Sequence, residues 1–183
     1  MIFRRRRVDP VRETLYALYH VKQGISRIEA LMDRIMNRRK KLLEVAAKLE
    51  ARGETFLAKK YAVEISKLDK IYARLADLRL VLEKISTSLE YALSLRNFKE
   101  VSENILEILN DVKKLPESTI PEIGLVIANL EHYLRNIEES SISMPEMASV
   151  FELPSDNETE KILSEAREIV KKRLEAELPS DNI

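Results

Sequence analysis

Two long apolar stripes with a single glycine between them constrain this chain more than any other feature. In the first, Leu18, Val21, Ile25, Ile28, Met32 and Ile35 fall at alternating steps of three and four, and the series resumes at Leu42, Ala46 and Leu49. In the second, Leu57, Tyr61, Ile65, Leu68, Ile71, Leu75, Leu78, Leu82, Ile85 and Leu89 keep to the same steps. That spacing puts each set on one face of a helix. Asp9-Pro10 starts the first helix: Asp caps orphan N–H groups, and Pro suits the first helical position. Running from about 10 to 51, it would be roughly 60 Å long at 1.5 Å per residue. Gly53 can take the left-handed conformation that closes a helix. Two long helices joined by so short a link must lie antiparallel, and neither stripe can be left in water. The spacing therefore predicts an all-α protein built on a long antiparallel hairpin, followed by shorter helices in an elongated core.

The second pattern weakens near Leu95-Arg96-Asn97-Phe98. Asn97 could cap a third helix over about 98–114, carrying Val101, Ile105, Ile108, Leu109 and Val112, or the second helix could continue as one rod; both stay open. Pro116 and Pro121 mark a clear break, because neither fits inside a helix. A fourth helix, about 122–139, presents Ile123, Val126, Ile127, Leu130, Leu134 and Ile137. Residues 140–157 are rich in Ser, Pro and acid and read as a linker. A last helix, about 156–177, opens with Ser155 and Glu158 as a capping box and carries Ile162, Leu163, Ala166, Ile169, Val170 and Leu174. The segment Glu152 to Asn157 recurs as Glu177 to Asn182, which shared capping chemistry explains as well as a duplicated docking motif does. Three regions follow: a tip over 1–8, a helical core over 9–140, and an acidic linker with a regulatory helix over 141–183.

No enzyme chemistry is legible. The two histidines, His20 and His132, lack the Glu three residues earlier that a di-iron bundle needs. There is no glycine-rich phosphate loop, nucleophile elbow or His-Glu-x-x-His. The sequence predicts no catalytic residue, metal or cofactor. Cysteine is absent, which removes disulfides and thiolate zinc sites and fits an intracellular protein. The net charge of zero hides a gradient. Residues 1–52 hold 14 Lys/Arg and 6 Asp/Glu, and residues 115–183 hold 6 and 15. The basic front and acidic back point to an electrostatic partner or to one end folding back on the other.

The basic residues form two clusters. Arg34, Arg38, Arg39, Lys40 and Lys41 lie on the first helix. At the N-terminus, Ile2 and Phe3 precede Arg4, Arg5, Arg6 and Arg7. A solvating tail has no use for two large apolar groups, whereas an interfacial anchor does. Each arginine near an anionic surface contributes on the order of 1 kcal/mol, so four give about 4 kcal/mol, near three decades of affinity. One copy would bind reversibly and an array tightly, so an anchor of this strength implies a polymer. Two other readings use the same residues: a nucleic-acid-binding helical protein, and a plain coiled-coil scaffold. No aromatic is interleaved with the basic clusters for base stacking.

The order of elements, together with residues 51–78, "ARGETFLAKKYAVEISKLDKIYARLADL", resembles the ESCRT-III family and, within it, archaeal CdvB-type proteins. The resemblance covers roughly residues 10–140. It implies a non-enzymatic subunit that polymerises on membranes in cell division or vesicle budding, at the division site on the inner face of the cell membrane. It further implies an opening hairpin with its turn at Gly53, an acidic tail that holds the closed form, and paralogous subunits as partners. Ile2, Phe3 and Arg4 to Arg7 would be the membrane-inserting tip. Family tails dock on the MIT domain of an AAA ATPase. Val170, Arg173 and Leu174 match the helical docking motif, but Glu177 stands where its last Leu belongs, and Leu178 comes one residue late. Leu153-Pro154 loosely resembles the extended docking mode. The chain stops at Ile183 without a winged-helix tail, as expected of a shorter paralogue.

Overall fold

A computed structural model describes residues 7–141 and 156–178. It contains five α-helices: α1 (Pro10–Ala51), α2 (Thr55–Leu95), α3 (Phe98–Val112), α4 (Pro121–Ser141) and α5 (Asp156–Glu177). A 3-10 turn, Pro116–Thr119, joins α3 to α4, and there is no strand among the described residues. The all-α hairpin architecture expected from the two stripes is the one observed.

Local chemistry sets the ends of the elements. Asp9 accepts a hydrogen bond from the Val11 amide, with Pro10 at the first helical position. At the far end, the Gly53 amide donates to Glu50 O and the Glu54 amide to Leu49 O, both at 3.0 Å. These paired bonds define a Schellman closure, and Gly53 has φ 78°, as its left-handed residue requires. An added Cβ there would touch nothing within 4 Å, so the requirement is conformational rather than steric. The α2–α3 question resolves as a break. Arg96 takes φ 60°, an unusual conformation for a residue with a Cβ, and its amide still bonds Ala92 O. Asn97 stands at the start of α3 without a side-chain capping bond. Pro116 and Pro121 each open a helical element, where the missing N–H costs nothing.

The bundle is two-tiered. α4 runs antiparallel along the first half of α1: Asn136 donates to Glu13 at 3.2 Å, and Arg34 meets Glu122 at 3.5 Å. α5 runs antiparallel along the second half of α2, with Glu165 beside Lys84 and Glu177 beside Arg74. α3 packs between them. In this covered half, Leu75, Leu78, Val81, Leu82, Ile85, Leu89 and Ala92 of α2 are buried, as are Ile105, Ile108 and Leu109 of α3. All six apolar residues expected on α4 are buried too. Beyond it, α1 has no buried residue after Met32, and α2 has only Ala58 and Ile65 before Leu75. Residues 36–71 therefore form a bare two-helix arm, about 24 Å long from residue 36 to the turn.

The α1–α4 seam depends on small residues outside the large-apolar pattern. Thr14, Ala17 and Gly24 are buried there beside Val21 and Ile28. The Thr14 hydroxyl donates back to Pro10 O at 2.7 Å, which satisfies it without a cross-helix partner. A Cβ at Gly24 would lie 2.5 Å from Val126 Cγ1. Val126 has essentially one helical rotamer and cannot swing away. Glycine costs about 1 kcal/mol relative to alanine inside a helix, and the close approach of α4 offsets that cost. Gly24→Ala should therefore gain helix propensity yet still lose stability, by about 1 kcal/mol net. A double-mutant cycle with Val126→Ala should show a coupling of about 1–2 kcal/mol by urea unfolding, whereas simple additivity would show that the approach does not need Gly24.

Candidate functional site

Two surfaces stand out among the described residues. They are the bare arm and the seam that holds α5. Among the described residues no group of three or more His, Cys, Asp or Glu is placed to hold a metal, and no helix is long and apolar enough to cross a membrane.

α5 reaches the bundle with Leu163, Ala166 and Val170 fully buried and Ile169 and Leu174 packed against the core. Its polar anchor is Arg173. That guanidinium bonds the carboxylate of Glu117, donates to Arg74 O at 3.3 Å, and lies 3.5 Å from Asp77 and 3.7 Å from Glu177. The Arg173 side chain is 12% exposed and that of Glu117 3%, so this pair is largely out of water. Glu117 sits on the 3-10 turn, which the two prolines hold in place beneath α5. Arg74 closes the cluster by pairing with Glu177 at 2.9 Å. Further up, Arg167 reaches Asn104 and Glu107 of α3. Lys84 donates to Glu165 at 2.6 Å, and this bond holds the Glu165 carboxyl below the usual carboxylate range. Because that pKa is lowered, the contact is fully present above the ordinary Glu pKa and is lost as pH falls through the lowered value.

The residues expected at the site are dispersed. Ile2, Phe3, Arg4, Arg5 and Arg6 lie outside the described residues, as do Leu153 and Pro154; Arg7 is exposed. The basic cluster on α1 is split. Arg34 pairs with Glu122 of α4, and Arg39 with Asp69 of α2 at 2.7 Å. Arg38, Lys40 and Lys41 are exposed on the arm and make no ion pair among the described residues. The residues that match the helical docking motif face inward: Val170 is buried, Arg173 is clasped, Leu174 is half-buried, and only Leu178 is open, at 68% exposure.

One constellation escaped the sequence reading. His20 stacks on Tyr133 with ring centroids 5.1 Å apart, His132 meets the same ring edge-on at 5.1 Å, and Tyr16 lies 5.4 Å from it. The chain's two histidines thus converge on one tyrosine of the α1–α4 seam. They are 112 positions apart, and no local pattern signals the pairing.

This hairpin with folded-back helices can be set beside known proteins. Cell division protein B1 of Sulfolobus acidocaldarius is 25% identical over 175 residues, covering 94% of this chain and 80% of that protein. Cell division protein B of the same organism is 23% identical over 159 residues, covering 87% of this chain. These similarities support a CdvB-type ESCRT-III protein. It spans 60% of the length of the second relative. No family model matches the chain, and no solved structure matches it significantly. The first of these likenesses covers nearly the whole chain.

Arg173→Met should free α5. Breaking a buried pair from one side costs on the order of 3–5 kcal/mol, because the other charge is left stranded. Amide exchange over α5 should rise well before the hairpin loosens. Adding Glu117→Gln should restore part of the protection, and unchanged exchange in the single variant would show that Arg173 does not hold the helix.

Proposed function

We propose that this chain is a non-enzymatic membrane-remodelling subunit of archaeal cell division or vesicle budding, which polymerises on anionic membranes once its helices open. Its two relatives are named cell division proteins, and division is the process to which the similarity assigns it. The observation that carries the reading is the Arg173–Glu117 clasp. It holds α5 on the apolar face of α2 while the basic arm stays bare, as a closed, reversible subunit requires.

Several features support opening. α5 is fixed by three fully buried apolar residues, the Arg173 cluster and two more exposed polar contacts, through Arg167 and Glu165. Arg96 holds a left-handed conformation between α2 and α3, and straightening the joint into one rod relieves that strain, which is of order 1–3 kcal/mol. Once α5 leaves, the side of α2 that carries Arg74, Asp77, Val81 and Lys84 is open to a neighbouring subunit. Release also exposes Val170, Arg173 and Leu174 to a helical docking partner such as the MIT domain of an AAA ATPase. Paralogous subunits are the other partners, and the site of action is the inner face of the cell membrane at division. Ile2, Phe3 and Arg4 to Arg7 are the proposed anchor.

Co-sedimentation with anionic vesicles tests this. The full chain should pellet at low salt and be released at high salt, because exposed charges are screened. A version lacking residues 1–7 should lose most binding, and Arg173→Met should bind better and coat vesicles as filaments seen by electron microscopy. A chain that stays in the supernatant in every case is not a membrane-polymerising subunit.

A further inference from the structure

Phe56 is the most exposed large apolar side chain among the described residues, at 69%, and it sits at the very end of the bare arm. Leu57 beside it is 42% exposed. Both occupy the first turn of α2, immediately after the Gly53 closure. The arm, residues 36–71, holds ten Lys/Arg and five Asp/Glu, so it is a net cationic projection. At its tip Lys48, Arg52, Lys59 and Lys60 are exposed and make no ion pair among the described residues. The Lys60 ammonium lies 4.8 Å from the centre of the Phe56 ring, which keeps a cation over the aromatic face.

We propose that this tip is a second lipid-contact point, in which Phe56 and Leu57 enter the headgroup region of an anionic bilayer while Arg52, Lys59 and Lys60 meet its phosphates. The proposal rests on the membrane reading above and adds a site to it. Shape favours lipid over a protein groove. A groove reads a helix through a stripe at i, i+3 and i+4, whereas Phe56 and Leu57 are consecutive and fan out from a convex end. A fluid planar interface accepts that arrangement and suits an aromatic ring flanked by cations. Shape also disfavours single-stranded nucleic acid, which needs a row of stacking rings rather than one.

The consequence is geometric. Arg7 and the tip lie at opposite ends of α1, roughly 60 Å apart. Two weak attachments at that separation hold the hairpin along the surface, and engaging one raises the effective concentration of the other. Phe56 and Leu57 stand outside the buried core, so replacing them should leave the fold intact.

The protein has no tryptophan, so Phe56→Trp in the full chain is a unique reporter, and Phe3→Trp is its companion at the other end. Vesicles of phosphatidylglycerol and phosphatidylcholine in equal parts, with and without brominated acyl chains, are the probe. The expected result is a blue shift and bromine quenching from both reporters. Phe56→Ser with Leu57→Ser and Lys60→Glu should weaken vesicle affinity about tenfold with an unchanged thermal midpoint. If Phe3→Trp is quenched and Phe56→Trp stays in water on the same pelleted vesicles, the tip proposal is overturned and the terminal anchor stands. The reverse pattern keeps the tip and removes the anchor. A concentration-dependent blue shift without vesicles, unquenched by bromine, makes the tip a contact between copies and overturns the proposal. Silence from both reporters without pelleting overturns both.

Discussion

The mismatch in helix length governs this molecule. α1 and α2 have 42 and 41 residues and pair along their whole length, while α4 and α5 have 21 and 22 and cover only half of each. A helix touching one neighbour buries a narrow stripe, and one touching three buries most of its circumference. α2 shows both regimes. Between Leu75 and Ala92 it buries successive turns on several sides, including Ser86 and Ser88, whereas on the arm only Ala58 and Ile65 fall below the surface. Bundle and arm are thus the covered and uncovered halves of one hairpin.

Much of this was legible because large apolar side chains at regular steps dictate which face is buried. Ile123, Val126, Ile127, Leu130, Leu134 and Ile137 on α4 are buried as their spacing requires. What stayed hidden depends on absent volume or on distance along the chain. Thr14, Ala17 and Gly24 are too small to register as a stripe, yet their smallness is what lets α4 approach. The α2–α3 break is made by Arg96 in a left-handed conformation, where no glycine or proline announces it. Contiguity misled in the other direction. Arg34 to Lys41 look like one cluster, but the helical period and the end of α4 divide them into paired and free residues.

The charge gradient is likewise only partly neutralised by folding. Acidic α4 and α5 residues do meet cations of the hairpin, as at Arg34–Glu122, Arg74–Glu177 and Lys84–Glu165. Other pairs run the opposite way, with Arg167 and Arg173 of α5 meeting Glu107 and Asp77. Exposed pairs contribute little each, so they set register more than stability. The cations at 38, 40 and 41 remain uncovered, so the arm keeps a positive pole.

The clasp fixes where α5 sits. An all-apolar seam for α5 would be strong and indifferent to register, since Leu163, Ala166 and Val170 could slide by a turn. A buried ion pair adds little net stability, because desolvation offsets most of its Coulomb attraction, but it has one correct geometry. Arg173 must reach Glu117 on a turn that Pro116 and Pro121 fix, and only one placement of α5 allows it. α4 is held differently, by six buried apolar residues and the Gly24–Val126 approach. The two helices therefore differ in how firmly they are held. α5 combines three buried apolar residues with one exacting ion pair, whereas α4 relies on the larger buried area, so α5 is the more weakly held of the two.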